Sequence, residues 1–417
     1  MATPVIVAHY HELWLKGRNR RFFLDLLSFA LRKAMEGLPL ERIERPGDRM
    51  LLRFREGASV EEAVKRVDGV LGVANYALAR PVEHSMDALC QAAWDEMAPL
   101  SFSSFAVRAK RSDKSFSQNA MQIEAAVGRY LLEHLRAAGR DVRVQLDEPE
   151  VTCRIEITPG PALVYARKYP GAGGLPANSA GRMTCLLSGG FDSAVAAYMM
   201  MRRGAHVTFV HFFGGGAKPG ESSVHVAREL VKRLTPYQLA AKLHVVPLEL
   251  IQREIVSQAP ESYRILLYRR MMLRIAERLA RHDHAKALIT GDSLGQVASQ
   301  TLQNMVAVGA AVRMPIFRPL AGMDKLEILK MARQITTYNV SAEPFHDCCP
   351  VFMPRTPALH ATPRALEEAD AGLDIHALTQ QGVSNARLLR YRFAGGQVEE
   401  TENADAVHVS KERTISQ

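Results

Sequence analysis

The sequence predicts an α/β protein in which a parallel-sheet domain follows two smaller α+β modules, and three observations support this. The chain has 417 residues, more than one hydrophobic core usually organises, so two or three domains are expected. Short apolar strand patterns alternate with helix patterns between residues 183 and 335, which favours a parallel sheet with helices on both faces. A turn-rich stretch at 170–176 separates this alternation from the mixed pattern before it.

The composition is that of an ordinary globular protein with a surplus of basic residues. Hydrophobic residues make up 47% and charged residues 23% of the chain, which excludes a fibrous or wholly disordered protein. Lys and Arg outnumber Asp and Glu by 53 to 44. This surplus favours a polyanionic partner such as nucleic acid, although many basic proteins bind none.

Targeting signals and cysteine usage bear on where the protein works. The N-terminus has no basic segment followed by a long apolar run, and no stretch approaches the roughly 18 apolar residues of a spanning helix. The cysteines are few and odd in number, which fits a reducing compartment: Cys90, Cys153, Cys185, Cys348 and Cys349. We therefore expect a cytoplasmic protein with no membrane partner.

The first module is predicted at residues 1–60 and the second at 61–168. In the first, a strand at Val5–Val7 precedes a helix with an apolar face and a strand at Met50–Phe54, and Gly57 suggests a break. In the second, helix and strand patterns again mix, and basic residues cluster beside a predicted strand end: Arg108, Lys110, Arg111 and Lys114. These side chains either form a solvated charged face or neutralise nucleic-acid phosphates.

The remaining boundaries follow from composition. Residues 169–177 are rich in turn formers and are predicted to be a linker. The sheet domain is predicted at 178–365, and its ligands should bind beyond the carboxyl ends of the strands. Residues 366–417 show no sustained period, so this tail is left without an assigned role.

A glycine-rich turn, Ser188-Gly189-Gly190-Phe191-Asp192-Ser193, lies between a predicted strand at 183–187 and a predicted helix at 194–201. Adjacent glycines let the backbone approach an anion, the hydroxyls of Ser188 and Ser193 can donate to phosphate, and the helix N-terminus adds partial positive charge. Asp192 can hold Mg²⁺ against phosphates. The alternative is a Gly-Gly turn with a serine N-cap. Neither a Walker loop nor a dinucleotide fingerprint is present.

This turn resembles the loop of the ATP-pyrophosphatases, the adenine nucleotide alpha hydrolase-like enzymes that split ATP between its α and β phosphates. Together with the segment Thr290–Thr301, TGDSLGQVASQT, it closely resembles the tRNA uridine 4-sulfurtransferases, also called 4-thiouridine synthetases. The resemblance runs from about residue 9 to 360 and includes these further segments: Glu12–Arg20, Arg269–Met272, Arg318–Leu320 and Met323–Ile328.

The resemblance implies roles for each part of the chain. The first module would be a ferredoxin-like domain and the second a THUMP domain, which together bind the acceptor region of tRNA, with the basic cluster on phosphates. ATP contacts would fall on Leu186, Leu187, Ser188, Gly189, Gly190, Ser193, His211, Phe212, Arg269, Gly291 and Gln300. The chain departs from the family at Phe191, where Ile is usual, and at Ala194, where Pro is usual.

The adjacent Cys348 and Cys349 are candidates for sulfur chemistry, because a thiolate is the usual carrier of a persulfide. Against this, a free cysteine is often a small buried hydrophobe. A zinc site with His346 and Asp347 is disfavoured by the adjacency of the residues, so no structural metal is expected. By the resemblance, Cys349 carries the persulfide in an Asp-Cys-Cys context, and Cys348 or Cys185 resolves it as a disulfide partner.

The resemblance also implies how sulfur is supplied. Longer family members carry a rhodanese domain with its own cysteine, but no cysteine follows Cys349, so we expect a short form. Sulfur would come directly from a cysteine desulfurase or from a separate carrier. The family's second role, in thiazole synthesis for thiamine, is put in doubt, and the resemblance further implies a homodimer.

Our hypothesis is that ATP and Mg²⁺ serve to adenylate the C4 oxygen of uridine 8 in tRNA. The Cys349 persulfide then displaces AMP and leaves 4-thiouridine. Three alternatives remain from the sequence: amidation by the same ATP chemistry, a non-catalytic THUMP RNA-binding protein, and a THUMP-bearing methyltransferase. The intact loop argues against the second and the missing cofactor fingerprint against the third.

Overall fold

The computed structural model describes residues 4–57, 59–214, 223–343 and 356–403. The chain divides into two compact units, Met1–Pro176 and Ala177–Gln417. Within the described parts, no helix is both long and apolar enough to cross a bilayer.

The first unit is one mixed sheet covered by helices. Its elements are β1 (Val5–His9), α1 (Arg20–Ala34), β2 (Leu40–Glu44), β3 (Arg49–Phe54), α2 (Glu61–Asp68), β4 (Asn75–Val82), α3 (Met86–Met97), β5 (Ser104–Arg111), α4 (Ala120–Ala137), β6 (Arg143–Val144), β7 (Val151–Ile157), β8 (Ala162–Tyr165) and β9 (Tyr169–Pro170), with a 3₁₀ helix at Glu12–Asn19. The strand order is β2-β3-β1-β4-β8-β7-β5-β6, and β9 also pairs with β4.

Strand β4 joins the two halves of this sheet. Residues 75–79 pair antiparallel with β1, and residues 80–82 pair antiparallel with β8. β4 lies within the predicted second module, residues 61–168, yet it pairs with β1 of the first; the sequence pattern of a strand does not indicate its partners. The start of the predicted linker also belongs to the sheet, since β9 pairs with β4 at Tyr76 and Asn75.

Helix α4 shows why these sequences fold locally as they do. Asn119 accepts from the Gln122 backbone N–H, and the Gln122 side chain accepts from the Asn119 N–H, so a capping box starts the helix. Its apolar residues recur at helical spacing and are fully buried against the sheet: Ile123, Val127, Leu131 and Leu135. The apolar periodicity of residues 121–135 predicts a helix, and the observed helix extends from Ala120 to Ala137.

A buried ionic cluster ties the first strands to the later ones. Glu156 of β7, 4% exposed, pairs with Arg49 of β3, lies 2.9 Å from His9 Nε2 and accepts from the Tyr165 hydroxyl at 2.6 Å. Burial alone would raise the pKa of Glu156, but His9 and Arg49 lower it to about 2. Arg49 also donates to Ser112 at 2.9 Å. The cluster therefore locks β1 and β3 to β7 and β8.

The second unit is the predicted parallel sheet with helices on both faces. Its elements are β10 (Arg182–Leu186), α5 (Phe191–Arg202), β11 (His206–Phe213), α6 (Ser223–Gln238), β12 (Ala240–Pro247), α7 (Glu249–Gln258), α8 (Arg264–His282), β13 (Leu288–Ile289), α9 (Leu302–Gly309), β14 (Ile316–Phe317), α10 (Lys325–Gln334), α11 (Tyr338–Ser341), α12 (Pro363–Asp370), α13 (Ile375–Ser384), β15 (Arg387–Ala394) and β16 (Gln397–Asn403).

The strand order of this sheet is β14-β13-β10-β11-β12-β15-β16, and the α/β fold class is confirmed. The five strands from β14 to β12 are parallel. The chain winds outward from β10 in one direction through β11 and in the other through β13. The carboxyl end of β10 is therefore the topological switch point, where open α/β sheets bind their ligands.

Residues from 366 onward carry more structure than their sequence indicated. β15 pairs antiparallel with β12 and β16 extends the sheet, while Asp370 of α12 accepts from Arg270 and Arg274 of α8 at 2.8 and 2.7 Å. In β15 arginines alternate with the buried residues Leu389 and Tyr391, so the composition of this segment did not indicate a strand. This segment covers one edge of the parallel sheet.

We expect Glu156→Gln to destabilise the full-length protein by about 3 kcal/mol at neutral pH, because Arg49 would lose its buried counter-ion. The folded pKa lies below the ordinary value of 4.5, so this stabilisation is present above that pH and is lost as pH falls toward 2. Calorimetry of both proteins should show their difference shrink over that range.

The matched control is Glu62→Gln, whose side chain is 52% exposed beside Arg66 and should change stability by less than about 1 kcal/mol. Equal stability of Glu156→Gln and the wild type at pH 7 would contradict the proposed role of the cluster.

Candidate active site

A cavity of about 450 Å³ lies at the carboxyl end of β10. It is bordered by the turn before α5, by α8 and by the segment after β13. Its described lining consists of Leu186, Leu187, Ser188, Asp192, Ser193, Phe212, Ser262, Ile265, Leu266, Arg269, Met272, Thr290, Gly291, Asp292, Val297, Ala298, Ser299, Gln300, Pro357 and Ala358. Most of the predicted nucleotide contacts meet here, whereas Gly189, Gly190 and His211 are outside that lining.

The two serines of the turn before α5 stabilise it through hydrogen bonds. The Ser188 N–H donates to Ser193 Oγ at 3.0 Å, the Gly190 N–H donates to Ser188 Oγ at 3.3 Å, and the Ser193 hydroxyl donates to the Gly190 carbonyl at 3.3 Å. The N-cap of α5 is Gly190, and no described side chain caps the helix. The arrangement differs from the alternative of a serine N-cap, and the first turn of α5 keeps its N–H groups for another acceptor.

Phe191 is accommodated outside the cavity lining. Its ring stacks on Tyr338 of α11, with centroids 6.4 Å apart and an angle of 24° between the planes. The room that the larger side chain needs is therefore found beside α11.

Gly291 packs directly against the turn. A Cβ at this position would lie 2.6 Å from the Ser193 nitrogen and 2.8 Å from the Asp192 carbonyl carbon. Both are backbone atoms at the start of α5, so they cannot move aside as a flexible side chain would. The close approach of the two segments therefore requires glycine at residue 291.

Asp192 presents an unpaired oxygen at the cavity. Its Oδ2 accepts from Gln296 Nε2 at 3.2 Å, whereas Oδ1 is buried without a partner among the described residues. Burial raises the pKa of Asp192, and Gln296 and the Lys325 cation act in the opposite direction. A carboxylate oxygen that lacks a donor suits a hard divalent cation, so the residues present fit Mg²⁺.

Asp292 is the centre of the polar network, although the sequence analysis did not single it out. It is 4% exposed, pairs with Arg269, accepts from the Thr290 hydroxyl at 2.8 Å and lies 3.3 Å from Arg318 Nε. Burial alone would raise the pKa of Asp292, but the two guanidinium groups and Thr290 lower it. A carboxylate three residues after a buried strand end was the available signal.

Arg269 is held at the cavity wall from two sides. Besides Asp292, its guanidinium donates to Ser299 Oγ at 3.1 Å and to the Ser299 carbonyl at 3.2 Å. Gln300 Nε2 reaches Asp292 Oδ1 at 3.4 Å. The predicted contacts Arg269 and Gln300 are therefore oriented by one shared carboxylate.

His211 has a structural role in addition to its predicted backbone contact. The side chain is buried, with Nδ1 2.8 Å from the Leu187 carbonyl and Nε2 3.0 Å from Ser223 Oγ. It thus ties the end of β11 to the residue after β10 and to the start of α6.

The cysteines divide between the described and undescribed parts of the chain. Cys348 and Cys349 lie outside the described residues, as do His346 and Asp347. Cys185 is fully buried in β10, burial raises its pKa, and Sγ lies 3.6 Å from the Ser193 carbonyl. A thiol in that position is poorly suited to disulfide exchange. Among the residues described, no group of three or more His, Cys, Asp and Glu side chains is placed to hold a metal ion.

The first unit has its own polar cavity, of about 440 Å³. Arg108 and Lys110 line it, together with two basic residues that the sequence analysis missed, Arg154 and Lys168. Arg108 and Arg154 are register partners in the parallel pair of β5 and β7, which sequence spacing alone could not reveal.

The other two members of the predicted basic cluster lie apart from this cavity. Arg111 points to the opposite face of β5 and donates to the Phe116 and Gln118 carbonyls at 3.1 and 2.8 Å. Lys114 is exposed on the following loop. Neither is in the described lining of the cavity, so the structure brings together only half of the predicted cluster.

Three family models match successive parts of the chain. The ThiI ferredoxin-like domain matches residues 5–77, the THUMP domain matches 83–167, and the thiamine biosynthesis protein (ThiI) model matches 178–375. Sequence relatives extend over nearly the whole chain. A probable tRNA sulfurtransferase of Thermus thermophilus is 41% identical, covering 95% of this chain and 96% of the relative, and one of Geobacillus kaustophilus is 34% identical, covering 95% and 98%.

Solved structures agree with these matches. A 4-thiouridine synthetase–RNA complex with bound ATP superposes with a TM-score of 0.82 at 28% identity, covering 93% of this chain and 99% of that one. A protein from Pyrococcus horikoshii, at 23% identity and a TM-score of 0.61 over 80% of this chain and 100% of that one, supports the fold alone. The resemblance found in the motifs is confirmed, and the chain belongs to the tRNA sulfurtransferase family.

Proposed function

We propose that this protein is an ATP-dependent enzyme that adenylates the C4 oxygen of uridine 8 in tRNA and transfers persulfide sulfur from Cys349 to give 4-thiouridine. The observation that carries the proposal is the cavity at the end of β10. There the uncapped helix start, the unpaired Asp192 oxygen and the oriented Arg269 guanidinium surround one space. The helix start and the guanidinium suit phosphate oxygens, and the carboxylate oxygen suits the Mg²⁺ that would accompany them.

The cavity lining has separate groups for the parts of ATP. Apolar side chains suit a base, among them Phe212, Ile265 and Met272. Ser188, Ser193 and the first N–H groups of α5 suit phosphate oxygens. Mg²⁺ would be held by Asp192 Oδ1, where it would supply charge neutralisation on the phosphates. Arg269, kept in place by Asp292, adds a fixed cation.

The reaction divides into two bond exchanges. The C4 oxygen of uridine attacks the α-phosphorus of ATP, the bond to the bridging oxygen breaks, and pyrophosphate leaves. The terminal sulfur of the Cys349 persulfide then attacks C4, and AMP leaves with the former C4 oxygen. A second thiol attacks Cys349 Sγ, so the S–S bond breaks, thiouridine is released and a disulfide remains for an external thiol to reduce. We assign the second thiol to Cys348, because Cys185 is buried.

The position of Cys349 in the sequence supports its role. Ala358 follows it by nine positions in the sequence, lines the cavity, and is fixed by its N–H donating to the Ser262 carbonyl at 3.0 Å. A fully extended chain spans at most about 3.3–3.6 Å per residue, so a segment of this length can bridge up to roughly 30 Å. The segment from Cys349 to Ala358 is therefore long enough for Cys349 to reach the cavity.

The first unit supplies surface for tRNA. Its cavity has a basic lining made of Arg108, Lys110, Arg154 and Lys168. Lys110 also forms a salt bridge with Asp48. Such contacts neutralise phosphates and position an RNA without reading its bases. We also propose a cysteine desulfurase or a separate sulfur carrier as the persulfide donor, cytoplasm as the location, and a homodimer as the assembly.

Cys349→Ala should lower tRNA thiolation by roughly 10³-fold or more, because the covalent sulfur carrier is removed, while the first turnover still releases pyrophosphate. The assay contains tRNA, ATP, Mg²⁺ and a persulfide source, with pyrophosphate and the absorbance of thiolated uridine measured together. Cys90→Ala in the first unit is the control. Normal thiolation by Cys349→Ala would refute the assignment, and pyrophosphate release by the wild type without thiolation would favour amidation.

Gly291→Ala should lower kcat/KM for ATP by about 100-fold, because the new methyl group displaces the start of α5 from its phosphate-binding position. Gly322→Ala is the control, since a Cβ there meets no described atom within 4 Å and the residue has no left-handed backbone. Steady-state pyrophosphate release gives both constants. If the two variants have the same kcat/KM, the close approach at Gly291 does not control ATP use.

A further inference from the structure

Asn304 of α9 joins two separate stretches of the cavity wall. Its side chain is completely buried, and Nδ2 donates to the Ala298 carbonyl and to the Ala358 carbonyl, each at 2.8 Å. Its Oδ1 accepts from the Ala361 N–H at 2.9 Å. Both amide hydrogens and the carbonyl oxygen are thus engaged with backbone groups.

The two stretches that Asn304 joins have different functions in the proposed reaction. Ala298 and Ala358 both line the cavity. Ala298 begins the 3₁₀ turn whose next residues, Ser299 and Gln300, contact Arg269 and Asp292. Ala358 follows Cys349 in the sequence, and both its N–H and its carbonyl are hydrogen-bonded.

A second bond reinforces this connection at the surface. The Thr301 hydroxyl donates to the Leu359 carbonyl at 2.7 Å, and Thr301 Oγ1 also accepts from the Asn304 N–H at 3.3 Å. Residues 298–304 therefore hold residues 358–361 through side chains at two positions. Residues 298–300, which line the cavity, and Ala358, which follows the cysteine segment, therefore cannot shift independently while both bonds persist.

We propose that Asn304 is a positioning residue that couples ATP activation to sulfur transfer. It fixes the distance between residues 298–300, which orient Arg269, and Ala358, from which the chain leads back to Cys349. This inference rests on the proposed function. The role requires an amide. In a carboxylate of the same shape, the oxygen that replaces Nδ2 would face the carbonyls of both Ala298 and Ala358, and an apolar side chain would leave three backbone groups without their partner.

Asn304→Asp should lower the thiouridine formed per pyrophosphate released by about tenfold, while pyrophosphate release changes only a few-fold. The loss of one or two buried hydrogen bonds has that order of effect. Both products are measured in one reaction of the full-length protein with tRNA, ATP, Mg²⁺ and a persulfide source. Gln303→Glu is the matched control, since the neighbouring amide is exposed and the chemical change is the same.

The ratio distinguishes positioning from general stability, because a loss of folded protein lowers both products equally. An unchanged ratio in Asn304→Asp would overturn the proposal. If that variant does not fold, Thr301→Val decides, with Thr301→Ser as its control: a lower ratio in the valine variant alone supports the coupling, and an unchanged ratio overturns it. Pyrophosphate release by the wild type without thiouridine would instead refute the proposed function itself.

Discussion

Two arginines share the buried carboxylate of Asp292, and the geometry of the nucleotide cavity depends on this arrangement. A carboxylate with almost no solvent contact is costly unless its charge is balanced, and here Arg269 and Arg318 balance it from different elements. Arg269 comes from α8 and Arg318 follows β14, so their shared partner at the end of β13 holds three parts of the sheet's carboxyl edge together. Gly291, the preceding residue, brings this assembly into contact with the start of α5.

The same network explains why the site contains one carboxylate with an unpaired oxygen, Asp192, and one cation held in a fixed orientation, Arg269. Asp292 is satisfied by its own partners, which leaves Asp192 Oδ1 as a carboxylate oxygen of the cavity lining without a donor among the described residues. Arg269 is oriented toward the cavity by Asp292 and Ser299 before any ligand arrives. Groups fixed in advance need little reorganisation when charge develops on a phosphate. Asn304 connects this network to residues 358–361, which follow Cys349 in the sequence.

The sequence predicted the parallel sheet and the turn at 188–193, because those features are local patterns. The ATP contacts that the family resemblance implied include eight of the twenty residues that line the cavity. The sequence did not predict the network of Asp292, the bonds of Asn304 or the pairing of Arg108 with Arg154, since these depend on tertiary placement and register. It suggested Cys185 as a resolving thiol, but burial within β10 argues against that role. It also left residues after 366 unassigned, where β15 mixes arginines with buried apolar residues. The roles of Cys348 and Cys349 stay predictions.

The central claim is that the C4 oxygen of an RNA base attacks the α-phosphorus of ATP. The most direct measurement uses tRNA with ¹⁸O at C4 of uridine 8, in a single turnover with ATP, Mg²⁺ and a persulfide source, followed by mass spectrometry of the products. We predict that the label appears in AMP as sulfur appears in the tRNA. Unlabelled AMP, with ¹⁸O retained in the tRNA or found in inorganic phosphate, would contradict adenylation of the base.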